Sequence, residues 1–125
     1  MSPTSEILKA KLLHKEGQLN QALRLYSEIL NKWPNNIKAK HGILQVYEGD
    51  LPNKNYSTQT EIQIQTLSSL LKKEKLADAL LYGTIVKEQG KNEPSLYTLM
   101  GIINGKLGNS EESISYFKKI GRAHV

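Results

Sequence analysis

The sequence predicts an all-α protein, a solenoid of antiparallel helix hairpins with about seven helices. Three observations predict this class. Apolar residues recur at helical spacing along most of the chain, and glycine or proline interrupts them at short turns. Two pairs of segments also start 34 residues apart, from Pro3 to Ile37 and from Thr60 to Pro94. No alternating apolar run flanked by hairpin signals indicates a strand.

Composition fits this class and excludes others. The chain has 125 residues, of which 38% are hydrophobic and 23% charged, which suits a thin two-layer body better than one thick core. The absence of cysteine excludes disulfides and thiolate chemistry. Neither an apolar run of about 20 residues nor a secretory signal pattern at the start is present. We therefore expect a soluble, cytoplasmic protein with no membrane contact.

The net charge of +5 raises the question of nucleic acid. Residues 1–50 contain seven Lys or Arg and five Asp or Glu, and residues 51–125 contain ten and seven. Because the two signs are mixed in both halves, the pattern is typical of a solvated helical surface. It lacks the clustered basic face or motif expected of a nucleic-acid-binding domain, and nucleic acid is disfavoured as a partner.

Three helices are predicted in the first half of the chain. The first spans residues 6–17 after an entrance at Ser2 and Pro3, and it ends at Gly17. The second spans residues 18–33 and ends before Pro34, which cannot continue the helical hydrogen bonds. The third spans residues 37–49. Their apolar positions are Ile7, Leu8, Ala10, Leu12, Leu13, then Leu19, Ala22, Leu23, Tyr26, Ile29, Leu30, then Ala39, Ile43, Leu44, Val46 and Tyr47.

Four more helices follow a polar segment at residues 51–59, which has no helical period and is predicted to be a linker. Thr58 and Glu61 form a capping-box pattern that opens the fourth helix. The fifth ends at Gly90, and the sixth begins at Pro94. The seventh, which is capped by Asn109 and Glu112, is expected to end at Ile120. Their apolar positions are Ile62, Ile64, Leu67, Leu70, Leu71, then Leu76, Ala79, Leu80, Ile85, Val86, then Leu96, Tyr97, Met100, Ile103, Leu107, then Ile114, Phe117 and Ile120.

Internal repetition is the most specific signal in the sequence. Gly17, Ala22 and Tyr26 have the same spacing of five and four residues as Gly108, Ser113 and Phe117. With a 34-residue period of helix-turn-helix units, the chain resembles a tetratricopeptide repeat protein over about residues 3–120. The segment HKEGQLNQALRLYSEILNKWPNN carries the family's turn glycine, small residue, aromatic residue and terminal proline. The segment LYTLMGIINGKLGNSEESISYFKKI matches next best.

The repeat pattern implies specific packing roles. Small residues at Ala22 and Gly101 would let the helices of a hairpin approach closely, while Tyr26 and Phe117 would fill the gap to the neighbouring hairpin. The middle unit departs from the pattern and is expected to be the least regular, since Glu74 replaces the turn glycine, Gly83 the aromatic residue and Lys91 the proline. The predicted domains are a repeat plus one helix at 3–50, the linker at 51–59, two repeats at 60–120 and an atypical tail at 121–125.

The resemblance also implies a ligand-binding surface, because the first helix of each family hairpin lines a concave groove. The matching groove positions are Ile7, Lys11, His14, Lys15, Lys38, His41, Gln45, Ile64, Ser68, Lys72, Thr98, Ile102 and Lys106. Their basic character would favour a protein or peptide ligand with acidic groups. The same lysines also fit an ordinary solvated helix surface, so the sequence leaves both interpretations open.

Catalytic and metal-binding functions are not indicated. His14, His41 and His124 lie on different elements without ligand spacing, and no serine has the spacing of a nucleophile elbow or triad. We therefore expect no enzyme activity, cofactor or metal. The expected function is a protein-interaction scaffold. The alternative, also implied by the resemblance, is the non-catalytic N-terminal region of a larger sulfotransferase-like or glycosyltransferase-like enzyme. Uncapped repeat ends would also allow a homo-oligomer.

Overall fold

A computed structural model describes residues 3–51, 55–90 and 93–123, with the backbone alone for 121–123. The described residues form seven α-helices and no strand, which confirms the all-α class. Several predictions lie outside these ranges, namely those for Ser2, for linker residues 52–54, for Lys91 and for tail residues 124–125 with His124. The chain divides into two compact units, Met1–Asp50 and Leu51–Val125.

Unit 1 contains three helices, α1 (Thr4–Lys15), α2 (Leu19–Lys32) and α3 (Ile37–Glu48). Each pair of these helices is in contact. Gly17 turns the chain between α1 and α2 with φ +83°, a left-handed conformation that glycine adopts without steric cost. Pro34 follows α2, and the Asn36 side chain accepts a hydrogen bond of 2.9 Å from the Ala39 N–H, which caps α3. Successive helices joined by such short turns run antiparallel.

Tyr26 is the largest fully buried side chain of unit 1. It is 1% exposed, and its ring lies directly against Gly42 of α3. Tyr26 therefore packs against the helix that follows its own hairpin, while its role at a junction between repeats stays a prediction. Ala22, also predicted to be buried, is 0% exposed. The glycine at 42 is needed there, because a Cβ atom would overlap the ring.

Unit 2 contains four helices, α4 (Gln59–Lys72), α5 (Leu76–Glu88), α6 (Pro94–Lys106) and α7 (Ser110–Ala123). Contacts join α4 with α5, α5 with α6, α4 with α6, and α6 with α7. The predicted capping box is present in a modified form. Thr58 Oγ1 accepts from the Glu61 N–H at 3.1 Å, while the Glu61 carboxylate accepts from the N–H and hydroxyl of Ser57 instead of from Thr58.

The middle unit, formed by α4 and α5, differs from the repeat pattern at the turn position and at the aromatic position. Glu74, at the turn-glycine position, is held at φ +58° and is the only described non-glycine residue with positive φ. Gly83, at the aromatic position, lies under the Met100 thioether of α6. Tyr82, which the apolar pattern of the sequence did not single out, is 0% exposed and contributes the aromatic side chain to the core of α5.

Four details of the sequence prediction need correction. Helix α7 continues through Ala123 instead of ending at Ile120, because glycine at 121 costs only about 1 kcal/mol in a helix and the next two residues favour it. Phe117 is 44% exposed and rests on Gly101 of its own hairpin instead of filling a gap to another. Ile7, assigned to the groove, is 4% exposed. Leu51, within the predicted polar linker, is 7% exposed.

Candidate ligand-binding surface

A cleft of about 380 Å³ opens on unit 1 between the first half of α1 and the start of α3. The turn at residues 33–36 forms its edge, since Pro34 ends α2 and the Asn36 cap starts α3 at that point. This turn places the first residues of α3 beside α1. The cleft is lined by Pro3, Thr4, Ile7, Leu8, Lys11, Asn35, Asn36, Ile37 and Lys38.

Exposed apolar and basic side chains share the rim of this cleft. Leu8 is 61% exposed and Ile37 is 79% exposed, so both would lose considerable contact with water if a ligand covered them. Lys11 and Lys38 are also exposed. The buried Ile7 forms part of the wall beneath them. A ligand that combines an apolar side chain with a nearby carboxylate would complement this arrangement.

Three of the predicted groove residues line this cleft together, the buried Ile7 and the exposed Lys11 and Lys38. Elsewhere in unit 1, Lys15, His41 and Gln45 are exposed and His14 is half-buried. In unit 2, Lys72, Thr98 and Lys106 are exposed, whereas Ser68, Ile64 and Ile102 are half-buried. The Thr98 hydroxyl donates to the Pro94 carbonyl at 3.0 Å, so its proton is already engaged. The role of these positions in ligand binding stays a prediction.

An aromatic and lysine cluster in unit 2 was not anticipated from the sequence. The rings of Tyr97 and Tyr116 have their centroids 6.1 Å apart. Lys119 Nζ lies 5.5 Å from the centroid of Tyr97 and 5.2 Å from that of Tyr116, and Lys87 Nζ lies 5.2 Å from Tyr116. These cation–π contacts connect α5, α6 and α7. The sequence signal was weak, because Lys87 and Lys119 are 32 positions apart.

The polar core of unit 2 was likewise missed. Asn104 is 3% exposed, donates to the Met100 carbonyl at 2.8 Å and accepts from the Asn109 side chain at 3.1 Å. The Ser113 hydroxyl donates to the Gly101 carbonyl at 2.8 Å and thereby connects α6 to α7. Among the described residues, every buried side-chain nitrogen or oxygen has a hydrogen-bond partner. These groups are satisfied internally, so they explain how the hairpin is held together and do not indicate a ligand site.

Burial raises the pKa of the Tyr26 phenol above its usual value, because the ionised form loses solvation in the core. Over the described ranges, no three His, Asp or Glu side chains form a group that could hold a metal ion. Every helix in the described part of the chain is too short or too polar to cross a bilayer. Comparison with known protein families and with curated proteins finds no match to this chain.

Proposed function

We propose that this protein is a non-catalytic helical-repeat scaffold that binds a segment of another protein in the unit 1 cleft. The ligand is an extended or helical peptide with an apolar side chain and adjacent acidic groups. The observation that carries this proposal is the pairing of Leu8 and Ile37 with Lys11 and Lys38 around one opening of about 380 Å³. Each alone is an ordinary surface feature, but together they complement one class of ligand.

The helix contacts support the repeat architecture that underlies this proposal. In unit 1, α3 contacts both helices of the preceding hairpin, and in unit 2, α6 contacts both α4 and α5. Helices in a tetratricopeptide-type solenoid are related in this way, because each hairpin covers the apolar flank of the next. Left-handed turns at Gly17 and Gly108, both with φ +83°, occupy the same place in their hairpins. The solenoid and the family assignment are part of the proposal.

The energetics favour modest affinity. Covering one large apolar side chain contributes about 1.5–3 kcal/mol if it becomes fully buried, and an exposed ion pair about 0.2–1 kcal/mol. Two of each give at most about 8 kcal/mol before the cost of ordering the ligand is subtracted, which predicts a Kd in roughly the millimolar range. The apolar contacts supply most of this free energy, while Lys11 and Lys38 select acidic sequences and set their orientation.

The test begins with selection of random peptides on the immobilised protein, followed by fluorescence anisotropy with labelled peptides of the enriched sequences. We expect apolar residues flanked by Asp or Glu to be enriched. Lys38→Glu should weaken binding by about tenfold, because it replaces an attraction with a repulsion. Lys9→Glu is the matched control, since Lys9 is exposed on α1 but does not line the cleft.

Two results would contradict the proposal. One is equal weakening by Lys9→Glu and Lys38→Glu, which would indicate a nonspecific charge effect. The other is unchanged binding in Ile37→Ser, a variant that removes the most exposed apolar side chain of the cleft without changing charge. Circular dichroism of each variant establishes that the helices remain formed.

A further inference from the structure

The first and last helices each carry an exposed apolar pair. On α1, Leu8 and Leu12 are 61% and 56% exposed, and we term this pair the α1 face. On α7, Ile114 and Phe117 are 53% and 44% exposed, and we term this pair the α7 face. The sequence had predicted apolar roles for all four residues, yet the structure leaves them in water. Exposed pairs of this kind require a physical account.

The positions equivalent to the α1 face are covered in later helices. A shift of 34 residues superimposes Leu8 and Leu12 on Gly42 and Val46 of α3. Val46 is 3% exposed, and Gly42 is covered by the Tyr26 ring of α2. The helix that precedes α3 therefore covers this position at Gly42. A shift of 91 residues, from Gly17 to Gly108, leads to the same result in α6, where the residues are the half-buried Leu99 and the fully buried Ile103.

Helix α4 carries polar residues at the two positions equivalent to Leu8 and Leu12. It is the first helix of unit 2, and a shift of 57 residues, from Pro3 to Thr60, places Gln65 and Ser69 at these two positions. A polar pair needs no covering helix. Leu8 and Leu12 are apolar, so the α1 face resembles the surface by which α3 contacts the helix before it.

The α7 face has an equivalent in α2. The 91-residue shift superimposes Ile114 on Leu23 and Phe117 on Tyr26. Leu23 is half-buried, and Tyr26 is 1% exposed with its ring against Gly42 of α3. The α7 face thus corresponds to the surface of α2 that packs on the next helix, α3. The α1 face corresponds to the surface of α3 that packs on the preceding helix, α2.

We propose that copies of this chain associate head to tail, with the α7 face of one copy packed on the α1 face of another. The occupant of each face is a second copy, because the chain carries both halves of the junction. Neighbouring helices at internal junctions are antiparallel, and this orientation is favourable between copies. It places Glu111 and Glu112 of α7 beside His14 and Lys15 of α1.

The contact between copies differs from the internal junctions in one respect. Phe117 would meet Leu8, whereas Tyr26 meets Gly42. The larger pair separates the helix axes toward the upper end of the usual 8–10 Å range. Association should therefore be reversible and dependent on concentration. It should also compete with ligands of the unit 1 cleft at Leu8, the one residue that belongs to both surfaces.

The experiment measures molar mass by sedimentation velocity over a range of concentrations. Wild-type protein should increase in mass above the 14.1 kDa monomer as concentration rises. Leu12→Glu blocks the α1 face, and Ile114→Glu blocks the α7 face. Each variant alone should be monomeric, with association weakened at least about tenfold because a buried apolar contact is lost.

Mixing the two blocked variants provides the decisive measurement. Each retains one intact face, so an equimolar mixture should form a dimer of twice the monomer mass and no larger species. Leu107→Glu is the matched control, because Leu107 is an exposed leucine that lies outside both faces and outside the unit 1 cleft; it should associate as wild type does. Failure of the mixture to dimerise would overturn the proposal. So would a monomeric wild type, or self-association that persists in either blocked variant.

Discussion

Replacing Gly42 with alanine tests the contact between α2 and α3. A Cβ atom added at Gly42 would lie 2.5 Å from Tyr26 Cε1 and 2.7 Å from its hydroxyl oxygen. Carbon atoms in contact are normally about 3.5–4.0 Å apart, so the ring would have to move by about 1 Å. It has little room to do so, because Tyr26 is 1% exposed. The same substitution at Gly101 meets the Phe117 ring at 2.7 Å, but that ring is 44% exposed and is free to rotate outward.

Two opposing terms set the magnitude. Alanine is favoured over glycine within a helix by about 1 kcal/mol, while overpacking a rigid site costs about 1–3 kcal/mol. At Gly42, three atoms of the confined Tyr26 side chain would be displaced, which places the cost in the upper half of that range. We expect Gly42→Ala to lower the free energy of unfolding by about 1–2 kcal/mol. At Gly101 the two terms nearly cancel, and we expect a change within about 0.5 kcal/mol.

Trp33 makes the assay specific for unit 1, because it is the chain's single tryptophan and lies in the turn between α2 and α3. Urea unfolding followed by Trp33 fluorescence should shift to a lower midpoint by about 1 M in Gly42→Ala, given an m-value of about 1–1.5 kcal/mol/M. In a Tyr26→Leu background the same substitution should become neutral or stabilising. A midpoint that rises in Gly42→Ala, or a double-variant coupling below about 0.5 kcal/mol, would refute the steric argument.

Other predictions address the turn, the cap and the buried phenol. Glu74→Gly should raise the free energy of unfolding by about 1 kcal/mol, because glycine relieves the left-handed backbone at φ +58°; an unchanged thermal midpoint would contradict this, and Gly17→Ala should show the opposite sign. Thr58→Ala should cost about 1 kcal/mol by removing the 3.1 Å cap bond, and full retention of stability in urea would argue against the cap. Tyr26→Ala should cost about 3 kcal/mol or more, whereas a loss below about 0.5 kcal/mol would mean that the residue is not in the core. Since the folded-state pKa of Tyr26 is raised, the folded state retains its proton longer, and stability should fall as pH rises above about 10. Tyr26→Phe should flatten that alkaline decline in urea titrations.

The helices could be predicted because their signals are local. Gly17, Pro34 and Gly90 interrupt apolar periods at the points where the structure turns, and the capping pattern at Thr58 identified the start of α4 within one residue. The end of α7 was wrong because a single glycine in a helix is a weak stop signal when no proline follows. The length of a helix and its caps depend on a few residues near its ends, which can be read from the sequence.

Exposure could not be predicted in the same way. Leu8 and Ile7 are adjacent apolar residues on α1, yet the first is 61% exposed and the second 4%. The period of the helix shows that both lie near its apolar side, but burial depends on which flank another helix covers. The apolar lining of the unit 1 cleft could not be predicted for the same reason. The resemblance placed Lys11 and Lys38 on the groove, whereas the exposed Ile37 beside them becomes evident only when the Asn36 cap orients the first turn of α3.

The departures in the middle unit follow from pairs of residues and not from single positions. At the junction of α2 with α3, a large ring on α2 lies against Gly42. At the junction of α5 with α6 the sizes are exchanged, since Gly83 lies on the first helix and Met100 reaches it from the second. In either arrangement a large side chain of one helix lies against a glycine of the other, so a comparison with a repeat pattern registers Gly83 as a defect although Met100 occupies the space beside it. Tyr82, one position earlier, contributes the aromatic side chain to the core of α5. At each of these two junctions the size of a side chain on one helix is therefore matched to its partner on the other.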